Sequence, residues 1–195
     1  MHKALKILII SSMFYSFSVG LLAPIFAIFV QSIGGGILEA SRAWFLYTLL
    51  IGITIVTFGR IEDKVSKREM FLVGRILFTL SAAGYFFVEN IEHLYFIQII
   101  LAISVAIIDP AFTALFSSSL RKGKESTEWA TWEGATYIVM AVGAIIGGVV
   151  ADTFGFNPLF AMMAISGALS TLIATMLIRK IMWKAIVARF RHIKF

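Results

Sequence analysis

Asp109 is the residue best placed to do chemistry, because it lies in the run Ile99–Leu115, which is broken chiefly by Ser104 and Thr113. A carboxylate at mid-helix in hydrocarbon costs about 2.5–3.5 kcal/mol on insertion scales. A group kept at that cost is expected to bind a proton or coordinate a cation. Losing its charge on protonation would let the surrounding helices rearrange. The plainer expectation is a structural ion pair with Arg75, unless Arg75 reaches back to the aqueous edge instead. Gln98 precedes Asp109 by eleven residues, roughly 16 Å along a helix, and returns to nearly the same face. Both can therefore line one cavity, with Tyr15, Ser16, Ser18 and Tyr137 adding hydrogen-bonding groups. The same hydroxyls are equally suited to holding helices together. His2, His93 and His192 are too scattered for a metal or triad site, and there is no cysteine. No phosphate-binding glycine loop is present, so neither cofactor, metal nor enzyme chemistry is expected.

The elements that must carry these residues are membrane-crossing helices. Of the 195 residues, 59% are hydrophobic and only 14% charged, and the mean hydropathy is +0.92. The apolar residues come in long runs, and about 20 in succession cross the hydrocarbon core as a helix. Helices satisfy their own backbone groups where no water can. Six spans are predicted, at about 7–30, 43–58, 69–88, 95–117, 133–153 and 159–178, joined by short connections. Glu133 falls near the start of the fifth, where an acid suits a helix N-terminus. The first run is too long for a cleaved signal and is expected to stay. The chain is therefore an all-α integral membrane protein: a bundle over 1–178 and a basic tail over 179–195.

The net charge of +6 is a topology signal. Fifteen of the 17 Lys and Arg precede the first span, join spans two to three and four to five, or follow span six. The positive-inside rule puts those segments and both termini in the cytoplasm, against anionic lipid of the plasma (inner) membrane. Nucleic acid is not the expected partner. In the tail, Ile181, Met182, Trp183, Ile186, Val187 and Phe190 alternate with Lys and Arg at near-helical spacing. That pattern fits a stop-transfer anchor or an amphipathic helix in the headgroup region.

Two matches suggest an internal repeat. LLAPIFAIFV in span one parallels IIDPAFTALF in span four, which aligns Pro24 with Pro110 at an offset of 86. Gly59-Arg-Ile-Glu-Asp63 ends span two and Gly148-Val-Val-Ala-Asp152 ends span five, at an offset of 89. Residues 1–90 and 91–178 are then related halves of three helices each. An odd number reverses the second half, giving a 3+3 inverted repeat of the kind found in secondary transporters.

At this point the chain resembles the major facilitator superfamily. Gly59-Arg-Ile-Glu-Asp63-Lys64-Val-Ser66-Lys67-Arg68 is similar to the family's signature between spans two and three, with Ser66 at the second Gly. The resemblance implies a breakable cytoplasmic latch built from that acid and those bases, with Arg75 close behind. Gly143-Ala144-Ile-Ile-Gly147-Gly148 is similar to the family's glycine-rich stretch in span five, associated with exporters and antiporters, with Ala144 at the usual Pro. In span four the family's usual Arg falls on Gln98 and its usual Gly on Ala102, a departure that bears on the proton coupling linked to that Arg. Pro24, Pro110, Gly143, Gly147 and Gly148 are expected to bend helices or let them pack closely.

The resemblance covers the whole chain but only half of the family's usual twelve helices. A single bundle would leave its cavity face against lipid at a substantial desolvation cost. Six helices give two copies the same orientation, so a parallel C2 homodimer can close the cavity. The alternative is one half of a longer or split transporter. The expected function is secondary transport of a small molecule or ion by alternating access, proton-coupled or antiport. A non-transporting membrane subunit or scaffold, and a channel, stay open as other readings.

Overall fold

The computed structural model describes the backbone of residues 3–62 and 64–191 and the side chains of residues 4–62 and 64–177. Asp63, and the side chains on which the amphipathic reading of the tail depends, lie outside the described residues. Helix α1 (Lys3–Leu22) passes through a 3-10 turn (Ala23–Ile25) into α2 (Phe26–Ser32). Then follow α3 (Ile37–Glu62), α4 (Lys67–Gly84), α5 (Ile91–Ser117), α6 (Glu125–Phe154) and α7 (Phe156–Arg191). Six segments are long and apolar enough to cross a membrane: Ala4–Ser32, Ile37–Glu62, Lys67–Phe87, Ile91–Ser117, Glu125–Phe154 and Phe156–Leu177.

Two helices begin well before their apolar runs. Span two was expected at 43–58, but α3 starts at Ile37, because Glu39 turns back to accept from the Gly36 N–H at 2.9 Å and pairs with Arg42 at 3.5 Å. Span five was expected at 133–153, yet α6 starts at Glu125. Glu125 and Glu128 in its first turn suit the exposed N–H groups there. Glu133 consequently sits beyond the second turn rather than at the helix start. Asn90 caps α5, its Oδ1 accepting from the His93 N–H at 2.9 Å. The turn from α6 into α7 is made by Gly155 at φ 79° and ψ −175°, a conformation open essentially to glycine alone.

The two aligned prolines behave differently. Pro24 stands in the 3-10 turn that interrupts the first span, whereas Pro110 stays inside the continuous helix α5. Pro110 removes one backbone donor from that helix, and the helix continues through it.

Helix α1 packs on α6 and α7, α5 packs on α3 and α4, and α4 packs on α7. Helices α1 and α5 barely touch. The result is an inner group of α1, α4, α5 and α7, flanked by α3 on one side and α6 on the other. Leu21, Phe29, Tyr85, Leu94 and Phe160 fill one end of the core. Leu5, Leu8, Phe71, Phe112 and Phe116 fill the end nearer the first residues.

Backbone approach governs the α1–α6 crossing. A side-chain carbon on Gly20 would lie 2.5 Å from the Met140 carbonyl oxygen, and one on Gly143 would lie 2.8 Å from that of Phe17. One on Gly147 would overlap the Leu21 carbonyl. Small residues at such crossings let dispersion replace the missing hydrophobic drive in lipid. Gly148 differs from its neighbours and faces open space, as does Gly59.

Candidate functional site

The polar side chains inside the bundle fall into two groups. The first joins α1 to α7. The Ser11 and Ser170 hydroxyls lie 3.1 Å apart and each reaches the other's carbonyl, at 3.0 and 2.8 Å. Ser18 donates to the Met163 carbonyl at 3.0 Å and Ser166 to that of Phe14 at 2.7 Å. Thr171 continues the seam onto α4, bonding the Thr79 hydroxyl at 2.9 Å and the Arg75 carbonyl at 3.0 Å. Ser18, one of the hydroxyls expected along a solute path, thus has its proton engaged between helices.

The second group is poorly satisfied. Arg75 is 2% exposed. Its guanidinium lies over the Tyr15 ring at 4.2 Å and the Phe71 ring at 4.9 Å. Among the described residues its hydrogen bond is one long contact, 3.5 Å from Nη2 to Ser12 Oγ, and Nε and Nη1 have no partner. Burial without a counterion costs several kcal/mol, which cation–π contact offsets only by about 2. Arg75 therefore does not reach back to the aqueous edge.

Asp109 is exposed on the surface of the bundle. It is not within ion-pair distance of Arg75; among the described residues the ion pairs are Arg42–Glu39 and Arg121–Glu128. Its charge nevertheless acts on Arg75, Tyr15 and Tyr47. These residues come from α5, α4, α1 and α3, around the side where α1 and α5 part.

Gln98 sits deeper, 3% exposed, and its Oε1 has no partner among the described residues. It lines a cavity of about 110 Å³, bounded by Tyr15, Ser18, Phe26, Trp44, Tyr47, Phe78, Tyr85 and Met163 among others. Tyr15 thus connects the Gln98 cavity to the Arg75–Asp109 region. Ser16 is half-buried on α1, and Tyr137 is 66% exposed on the far flank, α6. The structure brings Asp109, Arg75, Tyr15 and Gln98 into one neighbourhood and leaves Tyr137 outside it.

At the end of α3 a side-chain carbon on Gly59 would meet nothing among the described residues; beyond it Lys64 is exposed, and Lys67 and Arg68 at the start of α4 are half-buried. The residues that sequence reasoning missed lie between α5 and α6. Glu128, 3% exposed, accepts from the Arg121 backbone N–H at 2.9 Å and from Arg121 Nε at 2.6 Å. Those bonds tie the Arg121 turn to the first turn of α6. Tyr47 and Trp44 were missed as well. They lie in an apolar run that reads as lipid-facing, and aromatic identity was the one signal available.

The pattern of the Major Facilitator Superfamily matches residues 8–183. The chain is 24% identical over 165 residues to an uncharacterized MFS-type transporter of Methanocaldococcus jannaschii, covering 85% of this chain and 43% of the relative. It is 26% identical over 150 residues to the multi-drug resistance efflux pump PmrA of Streptococcus pneumoniae, covering 73% and 37%. Against multidrug resistance protein 2 of Bacillus subtilis it is 27% identical over 171 residues, covering 85% and 42%. The chain spans less than half the length of each of these relatives. With six membrane-length helices among its described residues and the family's pattern over most of its length, this chain is an integral, multi-pass membrane protein that belongs to the Major Facilitator Superfamily of transporters.

Proposed function

We propose that this bundle is half of a secondary active transporter, completed by a second copy in parallel C2 symmetry around a central solute path. The observation that carries the reading is a membrane bundle that keeps two costly charges without an ion pair between them, Asp109 exposed and Arg75 buried. Each charge is expensive in hydrocarbon. Together they form a site in which proton or cation binding at Asp109 changes the field on Arg75. That change is the differential interaction an alternating-access cycle requires. Protonation of Asp109 favours one access state, and release to the other side favours its opposite.

The packing supports the inverted repeat. Exchange of residues 1–90 with 91–178 turns the α1–α6 contact into α5–α3 and the α1–α7 contact into α5–α4, while α4–α7 maps onto itself. A side-chain carbon at Gly52 or Gly59 on α3, or at Gly134 or Gly148 on α6, would meet nothing among the described residues. Lipid has no need of glycine on an exposed face, whereas a partner helix does. In a parallel pair, α3 of one copy faces α6 of the other. Both termini are placed on the cytoplasmic side of the plasma (inner) membrane. Small organic solutes, as in the multidrug relatives, suit the aromatic lining, with outward transport by exchange for protons.

Reconstitution in liposomes under an imposed pH gradient tests this reading. Labelled solute should exchange saturably, and Asp109→Asn should abolish the dependence on the gradient while retaining exchange. Undiminished coupling in that variant removes Asp109 from the mechanism, and absence of exchange favours a scaffold. A second reading follows from the length: a different bundle, rather than a second copy, covers the same face. Gly59→Cys with Gly134→Cys separates the two. The chain has no cysteine of its own, so a cross-linked dimer of this chain alone supports the homodimer.

A further inference from the structure

The end of the bundle away from the basic connections carries a second hollow, on its surface. It lies where α4 runs out through a 3-10 turn (Tyr85–Phe87) and the chain turns back into α5. Gly84, Phe87 and Val88 form one side, and Phe96 and Ile97 in the second turn of α5 form the other. A side-chain carbon on Gly84 would lie 2.5 Å from Ile97 Cδ1, so the glycine lets the two sides meet at the floor. The hollow is open and measures about 420 Å³, within the range of about 300–1,000 Å³ of small-molecule sites. Phe87 and Phe96 are 75% and 63% exposed, so their rings stand along it rather than close it. A hydrocarbon chain fills such a space in any membrane. Its polar end decides which lipid supplies that chain.

Glu92 and His93, in the first turn of α5, make that polar end, and Glu89 follows Val88 in the connection. Both carboxylates are exposed, and neither belongs to the ion pairs found among the described residues. No Lys or Arg occurs between Arg75 and Arg121, so this stretch of chain supplies no cation of its own. The C-terminal end of α4 adds the negative end of a helix dipole at Gly84, with no basic residue in its last turn. Such a surface repels a headgroup whose only charge is a phosphate. It attracts an ammonium, as do the faces of the flanking phenylalanine rings. His93 brings an imidazole N–H for an anion beside that cation. The headgroup that fits therefore carries both charges.

We propose that this hollow holds one ethanolamine phospholipid, its ammonium bonded to the Glu92 carboxylate, its phosphate at His93 and one hydrocarbon chain between Phe87 and Phe96. A primary ammonium has three N–H donors for a carboxylate, and such charge-assisted bonds are the strong ones. A quaternary choline head has no N–H to give. The hollow shares no lining residue with the Gln98 cavity, so the lipid is not a solute on the proposed path. The inference needs a chain that spans a membrane and nothing of the transport cycle.

Native mass spectrometry of the full-length, delipidated protein in detergent tests it, with phosphatidylethanolamine, phosphatidylcholine and phosphatidylglycerol of identical acyl chains as probes. The ethanolamine lipid should bind about fivefold tighter than the glycerol lipid, the upper end of what an exposed ion pair contributes, and tighter than the choline lipid. Glu92→Gln should remove the preference and Glu92→Lys should reverse it. Both change an exposed side chain, so both should melt as the parent does. Phe96→Ala should weaken all three lipids together. Asp152→Asn, which alters an exposed acid in the last turn of α6 outside the hollow, should leave the preference intact. Equal binding of the three lipids by the parent overturns the proposal, and so does equal binding of the ethanolamine and choline lipids. A preference that survives Glu92→Gln, or falls as far in Asp152→Asn, overturns it in favour of general surface charge.

Discussion

The seam between α1 and α7 and the region around Arg75 and Gln98 are both polar and both buried. In the seam every hydroxyl named above finds a carbonyl or another hydroxyl at 2.7–3.1 Å. Arg75, one turn from Thr79 on α4, has two nitrogens, and Gln98 on α5 one oxygen, with no partner among the described residues. Small hydroxyls satisfy themselves across a helix crossing because they reach backbone on either side. A guanidinium or an amide needs several fixed partners that apolar helices do not provide. Polarity inside a membrane bundle thus marks glue where it is saturated and a site where it is not.

The largest expected effect falls on the packed side of that contrast. Gly147→Leu forces a side chain into the Leu21 carbonyl, and overpacking of this kind costs about 1–3 kcal/mol or more. The variant should fail to accumulate as a folded species in detergent, while Gly148→Ala, which meets open space, should be neutral. Wild-type yield and melting of Gly147→Leu would show that the α1–α6 crossing can slide apart.

Arg75→Met comes next and separates site from scaffold. Replacement of a buried, poorly compensated charge by an apolar side chain is often neutral or stabilising by about 1–4 kcal/mol. The variant should keep or raise its melting temperature and lose gradient-driven exchange. Destabilisation with coupling intact would move Arg75 to the structural side of the comparison.

The smallest effect belongs to the seam. Ser11→Ala and Ser170→Ala should each cost on the order of 0.6 kcal/mol, the mean worth of an interhelical hydrogen bond in a membrane. The double variant should cost less than the sum, because each hydroxyl serves the other. Exchange activity should be unchanged in all three. Loss of activity at unchanged stability would extend the site into the seam.

Much of the fold was legible in advance. Long apolar runs leave a chain no stable alternative to membrane helices, so the number and order of the six spans followed directly. The starts of α3 and α6 were not legible, because Glu39 and Glu125 interrupt hydropathy while stabilising helix ends. Asp109 and Gln98 were visible as polar residues on one stretch of helix. Nothing in their spacing said that one would be exposed and the other 3% exposed within a cavity. The same holds for Arg75, for which pairing with Asp109 and reaching toward water were both open, and which the bundle instead holds between two rings.

By itself the sequence determined that the chain crosses a membrane six times, through the length of its apolar runs, and where the costly polar groups fall along each helix. Only the tertiary structure decided which of those groups are satisfied. A hydrogen bond between helices depends on the angle and distance at which two backbones cross. That geometry is set by where glycines let α1 and α6 approach and by how α4 and α7 close behind them, not by any single run of residues.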